Sequence, residues 1–236
     1  MKKLSAVLAA SSVLMTGVAS AQSLLSWDVA GVPSTNSLTA TTIAENLDLS
    51  SGLNQLERVG VTGNATTSSF SSTGWNITDT FDENDKYVNF TLRTSPGHEM
   101  TLTSLNSVVW GSNTAPKTAR WGYRVGEGAF VLSDTFNLTS TVGTASRTWD
   151  FADFTTSETV EFRFWAYGTV NITNGISSTG GAIRVPGNSI SGSGIDLALS
   201  GSIAVIPEPS TSLLLILGIG LSAGAAGFSY LKKASS

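Results

Sequence analysis

Cysteine is absent from the sequence, histidine occurs once, and charged residues make up only 13% of it. The first absence excludes a disulfide framework, a thiol nucleophile and every thiolate metal site. The second excludes a multi-histidine zinc centre. His98 stands alone in "TSPGHEM", no G-x-S-x-G segment offers a serine nucleophile, and the residue reads as a solvated turn histidine. Positive charge is scarce too. Of 13 basic and 17 acidic residues, four basic and one acidic lie in the terminal segments, which leaves nine against sixteen between residues 22 and 206. A surface with that excess of negative charge repels phosphate backbones, and no basic run interleaved with aromatics offsets it, so nucleic acid is excluded as a partner.

Long apolar runs are confined to the two ends. The chain opens on "MKKLSAVLAASSVLMTGVASAQS", where Lys2 and Lys3 precede an apolar stretch that closes on Ala19-Ser20-Ala21. This is the pattern of a secretory signal peptide over residues 1–21, cut after Ala21 so that the mature chain begins at Gln22. At the other end, no charge occurs from Thr211 to Leu231. As a helix rising about 1.5 Å per residue, that stretch is roughly 30 Å long and matches the hydrocarbon core of a bilayer. Lys232 and Lys233 follow it, and basic residues favour the cytoplasmic side, which places the preceding body outside. Gly220 and Gly224 have the G-x-x-x-G spacing that lets two membrane helices approach closely.

Between body and apolar run stands Pro207-Glu208-Pro209-Ser210-Thr211. Proline cannot continue a helix and biases its predecessor toward extended structure, so this peptide is held open just outside the membrane, in a form suited to an enzyme's groove. Pro-Glu-Pro, a membrane helix and terminal basic residues together resemble the PEP-CTERM sorting signal of bacterial exported proteins, with lysines here where family tails usually carry arginines. The resemblance covers residues 207–236 and implies a membrane-embedded processing partner, an exosortase resembling a transpeptidase. It also implies delivery to the cell envelope or extracellular matrix of a bacterium that makes exopolysaccharide.

The body, residues 22–206, alternates apolar and polar side chains with period two, the mark of half-buried strands. "YVNFTLR" places Val88, Phe90 and Leu92 on one face. "RWGYRV" aligns Trp121, Tyr123 and Val125, and "VEFRFWAYG" aligns Val160, Phe162, Phe164 and Ala166. "GIDLALSGSI" sets Ile195, Leu197, Leu199 and Ile203 inward and Asp196 outward. Turn-rich stretches such as "GSNTAPKT" and "NGISSTGG" separate these runs. The expected fold is all-β, a single antiparallel β-sandwich of jelly-roll type, since the cysteine pair of an immunoglobulin domain is missing. One short helical turn is expected within "TTIAENLDLSSGLNQLERVG". The layout of the body is also similar to that of other proteins carrying this sorting signal, which supports the fold and implies no activity.

Three readings of function follow. The first is a non-enzymatic exported protein of the envelope or matrix. The second is a glycan-binding module for exopolysaccharide, whose platform would be Arg163, Trp165 and Tyr167 on the outward face of "EFRFWAYG"; the other tryptophans, Trp149 among them, are core by pattern. The third is a polysaccharide-processing enzyme, which requires a cleft with two converging carboxylates; no pair among the acidic residues is singled out. No catalytic or cofactor-binding residue is assigned. Asp79, Asp82, Glu83 and Asp85 in "DTFDENDKY" form a solvated acidic loop. A structural calcium ion is the alternative, although the spacing lacks the D-x-[DN]-x-[DN]-G pattern and its glycine.

Overall fold

A computed structural model of the chain describes residues 21–33, 35–141, 146–187 and 195–207. Among these residues every ordered element is a strand, no helix forms, and none is long and apolar enough to cross a membrane. The short helical turn expected near residue 45 is replaced by β3 (Thr42–Ile43) and an isolated bridge at Leu47. Ala19, Glu208, Pro209, Ser210 and Thr211, and the apolar stretch 211–231, lie outside the described residues.

The strands form three antiparallel sheets where a two-sheet sandwich was expected. The first sheet holds, in spatial order, β13 (Ser146–Thr156), β8 (His98–Val108), β16 (Leu197–Val205), β1 (Gln22–Trp27) and β3. The second runs β11 (Val131–Leu132), β10 (Pro116–Val125), β14 (Val160–Asn171), β7 (Tyr87–Leu92), β4 (Gln55–Val59) and β2 (Leu38–Thr39), with β12 (Phe136–Asn137) also pairing β10. The third is small: β5 (Thr62–Gly63), β6 (Ser69–Thr73), β15 (Ile183–Gly187) and β9 (Trp110–Gly111).

The first two sheets meet through aromatic side chains. Trp27 of β1 lies 5.0 Å from Phe90 of β7, and Tyr123 of β10 stacks on Phe154 of β13 at 4.6 Å. The third sheet adds Phe70, Ile183 and Val185 to the same core. Arg58 of β4 ties it to the second sheet. Its guanidinium lies 3.6 Å over the Phe70 ring and donates to the Ser72 hydroxyl at 2.8 Å and the Ser71 carbonyl at 3.0 Å.

Val88, Phe90 and Leu92 are buried as the alternation predicts, and so are Trp121 and Tyr123. Around residue 196 the prediction is reversed. Ile195 is 56% exposed, whereas Asp196 is buried and accepts the Val29 N–H at 3.0 Å, because β16 starts only at Leu197. β1 and β16 pair side by side from Gln22↔Gly201 to Trp27↔Leu197, so the first and last strands lie together inside the first sheet.

Candidate functional site

The expected platform on β14 is roofed over. Alternation does send Glu161, Arg163, Trp165 and Tyr167 away from the inter-sheet core, but that second face is covered by two loops. Trp165 retains 2% of its exposure: Phe81 and Phe130 pack edge-on against it at 5.4 and 5.3 Å, and its Nε1 donates to the Glu83 carbonyl at 3.2 Å. The indole lies over Gly122 of β10, where a Cβ would come within 2.9 Å of it. Arg163 is buried as well. It donates to both carboxylate oxygens of Glu161 at 2.6 and 3.0 Å and to the Glu83 carbonyl at 2.9 Å. Arg124 completes the neutralisation of Glu161 at 2.7 Å. Tyr167 is half-buried, its ring 5.5 Å from Phe81. The trio Arg163, Trp165 and Tyr167 is therefore the floor beneath a loop and presents no side-by-side aromatic surface for a sugar.

The acidic loop is one part of that roof, and the loop carrying Phe130 is the other. Asp79 accepts the Thr169 N–H at 2.8 Å and the Thr169 hydroxyl at 3.0 Å, and these bonds lower its carboxyl below the usual range. Asp82 caps the Asn84 N–H at 2.8 Å, and Glu83 contributes its carbonyl to Arg163 and Trp165. No group of three or more His, Asp or Glu side chains stands ready to hold a metal among the described residues. His98 is half-buried at the start of β8, its Nδ1 3.3 Å from the Pro96 carbonyl.

A cleft of about 740 Å³ opens elsewhere, between the first half of β13 and the β10 to β12 region of the opposing sheet. Its floor is Trp121, whose Nε1 donates to the Ser107 hydroxyl at 3.2 Å. Ser133 accepts the Trp121 N–H at 3.1 Å and donates to the Asp134 carbonyl at 2.8 Å, which fixes the turn that carries Asp134 to the rim. Arg147 and Trp149 share one face of β13 and come in from the other wall. Arg147 lies 4.8 Å over the Phe136 ring and donates to the Asn137 carbonyl at 2.9 Å; Trp149 is half-buried against Tyr123 and Phe151 at 5.7 and 5.1 Å. Asp134 and Asp150 line the same cleft from opposite sheets and are exposed.

The cleft brings together an aromatic edge, an arginine over a ring, several hydroxyl groups and two solvated carboxylates. Trp149, core by its pattern, is half-buried and packs against the core at the edge of the cleft. In "SRTWDF" period two places a charged Arg147 on the face of Trp149 and Phe151, but the like pattern at Arg163 and Trp165 is enclosed, so the sequence alone does not set the cleft apart.

Residues 205–233 match the PEP-CTERM protein-sorting motif. The motif marks an exported protein, sorted to the cell surface and processed by exosortase. No curated protein matches the chain.

Proposed function

We propose that this exported chain is a non-enzymatic surface protein that holds polysaccharide in the cleft between β13 and the β10 to β12 region. The signal peptide at residues 1–21, the membrane helix at 211–231 and release into the envelope or matrix after tail removal belong to the same reading, as does a jelly-roll-like arrangement of the two main sheets. One observation carries the binding role: the cleft joins Trp149, Arg147 and hydroxyl groups in an open site of about 740 Å³, whereas the other aromatic cluster, around Trp165, is closed. Arg147 and Trp149 supply a rigid edge with little side-chain entropy to lose, since each is already held by a ring neighbour.

The test is binding of the cell's own exopolysaccharide by the exported protein and its variants. Trp149→Ala is expected to weaken binding roughly five-fold and Arg147→Gln several-fold, an aromatic contact being worth about 1 kcal/mol. Thermal melts run beside the isotherms separate loss of binding from loss of fold. Undiminished binding by both variants, with the fold intact, removes the cleft from consideration.

Asp134 and Asp150 give a second reading some support, because polysaccharide hydrolysis needs two carboxylates facing one cleft. Both stand exposed to water in an open cleft, and binding is the preferred reading. Release of reducing ends from the polysaccharide, abolished in Asp134→Asn or Asp150→Asn, would reverse that preference.

A further inference from the structure

The sorting motif begins inside the sheet. β16 pairs with β8 as far as Val205↔His98, and the N–H of Ile206 still donates to the Gly97 carbonyl at 2.9 Å. The matched motif starts at Val205, so no free linker separates the folded body from Pro207. From the last pinned residue, Ile206, to Thr211, where the uncharged stretch starts, there are five chain steps. Fully extended, these reach at most about 18 Å. The headgroup layer takes up about 6 Å of that on each side of a bilayer. The tether therefore holds this end of the body within about 12 Å of the headgroups.

Three aliphatic side chains are exposed toward that end. Leu49 is 74% exposed, Val205 68% and Ile206 40%. Ile206 lines a shallow cavity of about 450 Å³ with Asp48, Gly97, His98 and Ser157, and Leu49 and Val205 are the chain neighbours of Asp48 and Ile206. The charges beside it cancel, since Arg93 donates to Asp48 through Nε at 3.1 Å. β8 runs away from this end, from His98 to Val108, which at about 3.3 Å per residue is roughly 30 Å. Ser107, near its far terminus, pairs with Arg147, and both line the cleft.

We propose that the end of the body formed by Leu49, Gly97, His98, Val205 and Ile206 lies against a lipid bilayer surface while the tail is in place, so that the cleft is held facing outward about 30 Å from the membrane. The proposal rests on the reading of residues 211–231 as membrane-crossing. The tether sets the local concentration of lipid in the millimolar range or above, so three aliphatic side chains and a neutralised ion pair need only weak affinity to stay in contact. Among the described residues no basic cluster stands at this end, where Arg93 is paired with Asp48, and this favours a neutral lipid surface over selective capture of anionic headgroups.

The cysteine-free sequence allows a direct test on the full chain. Leu49→Cys and Val205→Cys each carry an environment-sensitive dye at the proposed contact. Ile176→Cys, in the 87% exposed position beyond the far end of β14, carries it at the opposite pole. The chains are reconstituted into phosphatidylcholine vesicles containing a lipid with a headgroup-level quencher. The Leu49 and Val205 probes are expected to shift to the blue and to be quenched at least two-fold more than the Ile176 probe. Chains that float with the vesicles but show equal quenching at both poles, or none at Leu49, overturn the contact, keep the membrane segment, and leave the patch to the processing enzyme. Chains that fail to float overturn both.

Discussion

At the scale of single residues, Trp165 shows how completely surroundings decide a side chain's role. Its position on β14 points it out of the core, yet Phe81, Phe130 and the Glu83 carbonyl enclose it. Trp165→Ala is expected to cost about 3–5 kcal/mol of stability, as for other large-to-small changes at enclosed sites, and to do so without a specific effect on polysaccharide binding. Urea denaturation read beside binding checks this; a stable variant with lost binding would restore the platform reading. Asp48 is a second case, at the surface. The Ser50 hydroxyl, then Arg93 and the Ser50 N–H, hold its carboxyl down at about 2 against an ordinary 3.8. The depressed value means that its contribution to stability is complete above the unfolded pKa and is lost as the pH falls from about 4 to about 2. Wild type should therefore lose more melting temperature than Asp48→Asn between about pH 5 and about pH 2, and equal losses would show that the Ser50 and Arg93 contacts add nothing.

At the scale of the element, β14 and β8 depart from simple period two for two separate reasons. Period two reports which side chains share a face of β14, but not whether a loop lies over the second face, and here one does. The pairing of β16 with β8 slips between Ser200 and Gly201, and the extra residue, Thr103, lies on β8. The buried positions of β8 therefore change parity there, from Met100 and Leu102 to Leu105 and Ser107, while Leu197, Leu199 and Gly201 of β16 stay on one face. Gly201 is needed at that slip: a Cβ there would stand 2.1 Å from the Thr101 carbonyl oxygen and 3.0 Å from the Leu24 side chain. Neither backbone can yield without parting β8 from β16, the centre of the first sheet. Gly201→Ala is expected to destabilise the body by about 2 kcal/mol or more, seen as a lower urea midpoint at unchanged slope. A midpoint equal to wild type would mean that the two strands separate there at little cost.

For the whole molecule, the decisive feature is polarity along the strands. One end of the first sheet delivers the chain to the sorting motif through Val205 and Ile206; the other end opens as the cleft beside Ser107 and Arg147. β16 runs directly into the motif, and Pro207 and Pro209 are the residues expected from the sequence to hold the recognition peptide extended. Replacing both by alanine is expected to leave the tail uncut and the protein in the membrane fraction, as measured by fractionation and by the mass of the recovered chain. Equal release of mutant and wild type would show that the prolines play no part in processing.

The sequence alone determined what depends on local composition and periodicity. The all-β class follows from alternation and turn residues, the exclusion of thiol and multi-histidine chemistry from residues that are absent, and the sorting motif from a contiguous peptide whose order is its signal. Tertiary structure decided everything that depends on which surfaces meet. The roof of Phe81 and Phe130 over Trp165 comes from loops distant in the chain, and the cleft is assembled from β13 and from the turn after β11, on opposing sheets. The third sheet joins β5 and β6 to β9 and β15 across long separations. Period two carries one bit per residue, the face it points to; whether that face meets water, a loop or another sheet is settled only when segments far apart in the chain come together.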